Sequence, residues 1–183
     1  ADPYQRPVAR IWRDGVVVGA GFLAPRGVVV TCAHVVNAAL GRGLIEAGEP
    51  EDSVRVDLPW AAPGNRFRGT ILDWRAPIAS DAHRPHSCVD IAVLQLDAHP
   101  PHDAALKPQA PVVIPQGTRF DVMGFPAGRG SAGVPARGVV GGTDANGWLH
   151  VEARSVIGPF MTEGFSGAPA IQTNRLIGMI DIT

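Results

Sequence analysis

The apolar residues of this chain fall into short runs rich in valine and isoleucine, punctuated by glycine and proline. The runs are "GVVVGAGFLA" (15–24), "GVVVTC" (27–32), "SVRVDL" (53–58), "DIAVLQL" (90–96), "RFDVMGF" (119–125), "ARGVVGG" (136–142), "WLHVEA" (148–153), "SGAPAI" (166–171) and "RLIGMIDI" (175–182). Runs of this length with turn residues between them read as strands, and their spacing predicts an all-β sandwich or barrel. One stretch reads as a helix: "AHVVNAAL" (33–40), with Gly41 behind it as the stop. The segment "DAHPPHDAALKPQAP" (97–111) holds four prolines and no periodicity, which makes it a linker between two β units of similar size.

Composition narrows the function. At 183 residues, 45% hydrophobic, with 22 glycines and 17 prolines, the chain suits one or two small turn-rich domains. A net charge of −1 with both signs scattered offers no basic stripe for phosphates, so nucleic acid is not an expected partner. No apolar run approaches the roughly 18 residues of a span, and "ADPYQRPVAR" lacks the apolar core of a signal peptide, so no membrane partner is expected. The chain opens at Ala1 without methionine and closes in the apolar "RLIGMIDIT", which leads us to expect a fragment of a longer protein. Lys107 is its sole lysine against fifteen arginines, a compositional hint of a GC-rich genome. Two cysteines, Cys32 and Cys88, cannot make a disulfide framework, so the fold must rest on its core and a reduced, cytoplasmic setting is favoured over secretion.

Three residues stand out together. Ser166 lies in the small-residue run "TEGFSGAPAI" (162–171), and a serine becomes a nucleophile only with a base beside it and a third group to orient that base. His34 follows the strand "GVVVTC" and opens the one helix, whereas His83, His86, His99, His102 and His150 sit among polar or proline-rich neighbours or in a strand's alternation. Asp90 heads the apolar "DIAVLQL", where burying its charge is costly unless a partner such as a ring N–H is present. The order histidine, aspartate, serine excludes the α/β-hydrolase arrangement, in which histidine comes last. It matches the arrangement in which base and acid come from a first barrel and nucleophile from a second, with the linker between Asp90 and Ser166.

"TCAHVV" around His34, "VDIAVLQL" around Asp90 and "GFSGAPAI" around Ser166 resemble the three catalytic blocks of chymotrypsin-like (trypsin-like) serine proteases. The opening "GAGFLAPRGVVVTCAHVV" resembles the compact bacterial members, and the likeness runs over nearly the whole chain. It implies two antiparallel six-stranded β-barrels, at 1–102 with His34 and Asp90 and at 103–183 with Ser166, the second truncated. It implies a serine endopeptidase: His34 is base then acid, Asp90 fixes its tautomer, Ser166 attacks, and the partner is a protein or peptide substrate. The backbone N–H groups of Gly164 and Ser166 are the expected oxyanion donors, in a tight glycine-bearing turn that suits them to that task.

Three features depart from the family. Phe165 stands where many secreted members carry the aspartate that pairs with a newly cut N-terminus, so activation by N-terminal insertion is not expected and control by other domains of a longer chain is. Asp181 falls where the family has a serine bonded to the catalytic aspartate, and two close carboxylates raise one another's pKa. The ending at Thr183 leaves out the rest of the specificity pocket, whose expected residues here are Phe160, Asp181 and Thr183. With no acid at Phe160, a small or apolar residue before the cut is expected. A second reading, a catalytically silent binding or regulatory module, stays open on the last two features. In "HRPHSC", His83, His86 and Cys88 invite a metal reading, but a zinc site needs a fourth ligand and a rigid turn. No metal and no cofactor are expected.

Overall fold

A computed structural model of the chain describes residues 2–77, 89–107, 113–144, 148–153 and 161–182. Its strands are β1 (Val8–Arg13), β2 (Val16–Ala24), β3 (Val28–Thr31), β4 (Val54–Asp57), β5 (Arg66–Arg75), β6 (Ile91–Leu96), β7 (Arg119–Gly124), β8 (Val134–Thr143), β9 (Leu149–Ala153), β10 (Pro169–Gln172) and β11 (Arg175–Met179). Helix α1 spans Ala33–Leu40, as its sequence predicts, and Gly41 ends it with φ +72 while donating to the carbonyls of Ala38 and Asn37. Glycine takes that left-handed cap without the steric cost of a side chain.

The first six strands close into a barrel in the order β1-β2-β3-β6-β5-β4, and the other five form a curled sheet in the order β11-β10-β7-β8-β9. This is the all-β chymotrypsin-like architecture, with the second unit described as a five-stranded half-barrel. Two-residue hairpins set two registers. Asp14 and Gly15 both have positive φ between β1 and β2, and so do Thr173 and Asn174 between β10 and β11. Turns with that geometry match the twist of the flanking strands. The expected linker contains a short 3-10 turn, His102–Ala104; its residues 108–111 lie outside the described residues.

Two strands, β1 and β5, went unread in the sequence. In "RFRGTILDWR" the arginines face solvent, and the pairing with β6 shifts register between Ile71 and Asp73, so the two-residue alternation breaks midway. In "VARIWR" the interruption is Arg10, which stands opposite Asp57 on β4, the pairing that closes the barrel. Its guanidinium grips Asp57 with two bonds, 2.7 Å from Nε and 2.5 Å from Nη2. Nη1 donates to the Ser131 carbonyl at 2.6 Å, which reaches the second unit.

Leu94, Val56, Val29, Ile11 and Leu58 are among the fully buried side chains of the first barrel, with Val35 and Val36 of α1 lying against them. The second core gathers Phe120, Val122, Phe125, Phe165 and Ala168, and borrows Val8 and Ala20 from the first barrel's strands. Packing across the two units therefore holds one against the other.

Both Arg10 and Asp57 are largely buried, so removing one partner strands the other. Asp57→Ala is expected to cost about 3–5 kcal/mol of unfolding free energy in urea titrations, and an Arg10→Leu, Asp57→Leu double variant to recover much of it.

Candidate active site

The register of β3 against β6 brings His34 and Asp90 together. Thr31 pairs with Ala92, so two further positions of the same antiparallel register put Asp90 opposite Ala33, beside the start of α1. Cys32, at the helix N-cap, makes no side-chain capping bond. Asp90 supplies one from across the sheet: its Oδ1 accepts the His34 backbone N–H at 2.9 Å. Its Oδ2 meets His34 Nδ1 in a short hydrogen bond. A helix N-terminus presents unpaired N–H groups and a favourable field for an anion. Both groups are buried, and the carboxylate's charge is met by two donors. With Asp90 Oδ2 as the acceptor, Nδ1 carries the ring proton and Nε2 keeps a lone pair that can accept one.

Ser166 comes from the second unit, on the turn that leads into β10. Its carbonyl accepts the Ala20 N–H at 3.0 Å. The next residue, Gly167, has φ +84, and a Cβ there would lie 2.0 Å from the Ala20 carbonyl oxygen and 2.5 Å from Thr31 Oγ1. Only glycine permits this contact. Thr31, three residues before His34, donates its own hydroxyl to that same Ala20 carbonyl at 2.6 Å. The serine turn and the histidine strand are thereby pinned to one backbone group. The Ser166 hydroxyl, 4% exposed as a residue, donates to the Ile182 carbonyl at 3.3 Å, and no hydrogen bond joins it to the His34 ring.

Phe165 explains how the turn is held without an ion pair. Its ring is fully buried in the second core and rests against Gly124, where a Cβ would come within 2.3 Å of it. The preceding Gly164 has φ +96 and stands against the Phe125 carbonyl, where a Cβ would come within 2.4 Å, and its own carbonyl accepts the Phe125 N–H at 2.8 Å. The Phe165 N–H bonds to the Thr162 carbonyl at 3.1 Å. Among the described residues the N–H groups of Gly164 and Ser166 have no intramolecular acceptor. Two such donors on one tight turn can serve a developing oxyanion.

Asp181 arrives by a backbone clamp. Gly167 N–H donates to the Ile180 carbonyl and Ile180 N–H to the Ala168 carbonyl, each at 2.9 Å, which lays the next residue beside the histidine. Ligand-competent atoms of Cys32, His34, Asp90 and Asp181 all lie within 4.8 Å of one another. Burial, then the charge of Asp90, pushes the Asp181 carboxyl up, while His34 works the other way. Burial, then the two carboxylates, pushes the Cys32 thiol well up, keeping it neutral. Cys32 is a free thiol whose Sγ contacts the Ile180 carbonyl at 3.5 Å. Its place at a helix cap depends on where β3 stops.

Of the expected pocket residues, Asp181 lies against the histidine–aspartate pair, and Phe160 and Thr183 lie outside the described residues. So do His83, His86 and Cys88. The Ile182 carbonyl and the Ala20 anchor were not expected, since backbone groups leave no signal in residue type.

The fold is that of the chymotrypsin-like serine proteases. A model of the trypsin-like peptidase domain matches residues 14–179, and the chain belongs to that family. No curated protein matches. Solved structures with the same fold include Deg5, at 22% identity and a TM-score of 0.61, with 96% of this chain and 78% of that one covered. An inactive mutant form of Rv3671c from M. tuberculosis H37Rv aligns at 22% identity and a TM-score of 0.59, covering 96% of this chain and 77% of that one. The serine endoprotease from Yersinia pestis aligns at 16% identity and a TM-score of 0.65, with 97% of this chain and 54% of that one covered.

Because Gly167 is both left-handed and in contact with backbone, Gly167→Ala is expected to destabilise the protein by about 2–4 kcal/mol in chemical denaturation. Phe165→Ala, which empties a buried slot, is expected to cost about 3–5 kcal/mol by the same measurement.

Proposed function

We propose that the protein is a serine endopeptidase that cleaves peptide bonds through an acyl-enzyme, and that it is the protease effector domain of a larger bacterial protein. The observation that carries this reading is the buried Asp90, which accepts both the backbone N–H and the Nδ1–H of His34 on a chain of the trypsin-like peptidase family. In that arrangement Nε2 of His34 takes the Ser166 proton as Oγ attacks the scissile carbonyl, then returns it to the leaving amine. Asp90 holds the ring's tautomer and stabilises the imidazolium. The N–H groups of Gly164 and Ser166 receive the oxyanion. A small or apolar side chain before the cut is favoured, since position 160 in the sequence carries no acid.

For this chemistry the Ser166 hydroxyl must leave the Ile182 carbonyl and turn to His34. Catalytic hydrogen bonds are often loose without substrate and tighten in its complex. The Ser166–Ile182 bond is also the observation that favours a second reading, a protease-fold module whose serine is idle. A fluorescent fluorophosphonate, which reacts with activated serines, separates the two. The parent is expected to label, and Ser166→Ala and His34→Ala to lose labelling. Asp90→Asn is expected to fall by about 10⁴-fold, because the amide imposes the wrong tautomer. A folded parent that does not label supports the idle module.

A further inference from the structure

Four donor atoms of different chemistry converge at the back of the site: the Cys32 sulfur, a His34 ring nitrogen, and one oxygen each from Asp90 and Asp181, all within 4.8 Å of one another. Tetrahedral zinc, with bonds of about 2.0–2.3 Å, holds its ligand atoms about 3.3–3.8 Å apart. The widest pair need close by only about 1 Å, and the hydrogen bond between His34 Nδ1 and Asp90 Oδ2 must open to admit the ion. Asp181 Oδ1 is buried without a hydrogen-bond partner, an acceptor left unused beside a second buried carboxylate. A mixed sulfur, nitrogen and oxygen set suits zinc, cobalt or copper and not the hard cations magnesium and calcium. Asp181 is the more open of the four residues, which gives an ion its way in.

We propose that Cys32, His34, Asp90 and Asp181 form a binding site for a thiophilic divalent cation of the zinc class, and that its occupancy silences Ser166. The silencing rests on the protease reading above; the binding does not. On binding, the Cys32 thiol releases its proton to solvent and ligates as thiolate, and no electron is transferred. The imidazole is disabled whichever nitrogen binds. With Nε2 on the ion its lone pair is engaged, and with Nδ1 on the ion the ring proton moves to Nε2. In either case His34 cannot accept the Ser166 proton. The ion also answers the repulsion between Asp90 and Asp181 that an empty site must tolerate.

The test is titration of chelator-stripped full chain with Co²⁺, followed by its thiolate-to-cobalt charge-transfer absorption, and with Zn²⁺ by calorimetry. One equivalent should bind with the band present. Cys32→Ser should abolish the band, and Asp181→Asn should weaken zinc at least about tenfold, with circular dichroism checking that each variant folds. Saturating zinc should block fluorophosphonate labelling of the parent and excess chelator should restore it. Absence of the band, or zinc affinity unchanged in both variants, overturns the site. The latter result would assign binding to surface histidines such as His99 and His102, whose rings lie 6.4 Å apart. Labelling that survives saturating zinc overturns the silencing. A parent that never labels removes the protease reading and the silencing together, while the cobalt band still decides the site.

Discussion

A buried carboxylate that accepts two hydrogen bonds from one residue organises this molecule. Taking Asp90 out of water is costly, and it is offset only because β3 stops where α1 begins, so that a backbone N–H and a ring N–H of His34 both face it. The same pairing caps a helix that has no capping side chain of its own. Orientation of the imidazole and integrity of the helix start are thus one interaction. The strand register that supplies it, Thr31 against Ala92, is itself fixed by the buried faces of β3 and β6, since a slip by one residue would turn those apolar side chains outward.

The second unit is aligned to that pair through backbone contacts of small residues. Ala20 receives the hydroxyl of Thr31 and the close approach of Gly167, and gives its own N–H to the Ser166 carbonyl. Side chains on Gly167 or Gly164 would push the Ser166 turn off its support. Phe165 then locks the turn from behind by filling a slot over Gly124. A hydrophobic anchor of this kind needs no charged partner to form, so the turn that carries Ser166 is built together with the core.

Much of this could be read from the residues wherever the signal is local. The helix was legible because "AHVVNAAL" is bounded by Gly41, and the regular strands because their apolar runs end at turn residues. His34, Asp90 and Ser166 were legible as types in an order, and the structure brings His34 onto Asp90 and the Ser166 turn onto Ala20 of β2, the residue that also receives Thr31. β1 and β5 escaped because Arg10 finds its charge partner on β4 and because a register shift splits the alternation of β5; both are facts about partners distant in sequence. Phe165 was visible as a departure from the family, but its meaning came only from the glycine opposite its ring. The Ser166–Ile182 contact was invisible, since a carbonyl belongs to every residue.

Asp181 shows how one substitution changes what a shared fold can do. A hydroxyl in its place would donate to Asp90 and leave a single charge behind the imidazole. A carboxyl that burial and Asp90 push up instead puts a second acid behind the imidazole, beside a thiol that burial, and then the same two carboxylates, push well up. Such a cluster is unfavourable in isolation, because its charges repel and one oxygen lacks a partner. Its members are nevertheless held rigidly, Cys32 by the helix cap, Asp90 by the sheet register and Asp181 by the Gly167 and Ala168 clamp. Rigid placement stops these groups from relaxing apart, so the repulsion stays in the fold until a proton or a cation enters to relieve it.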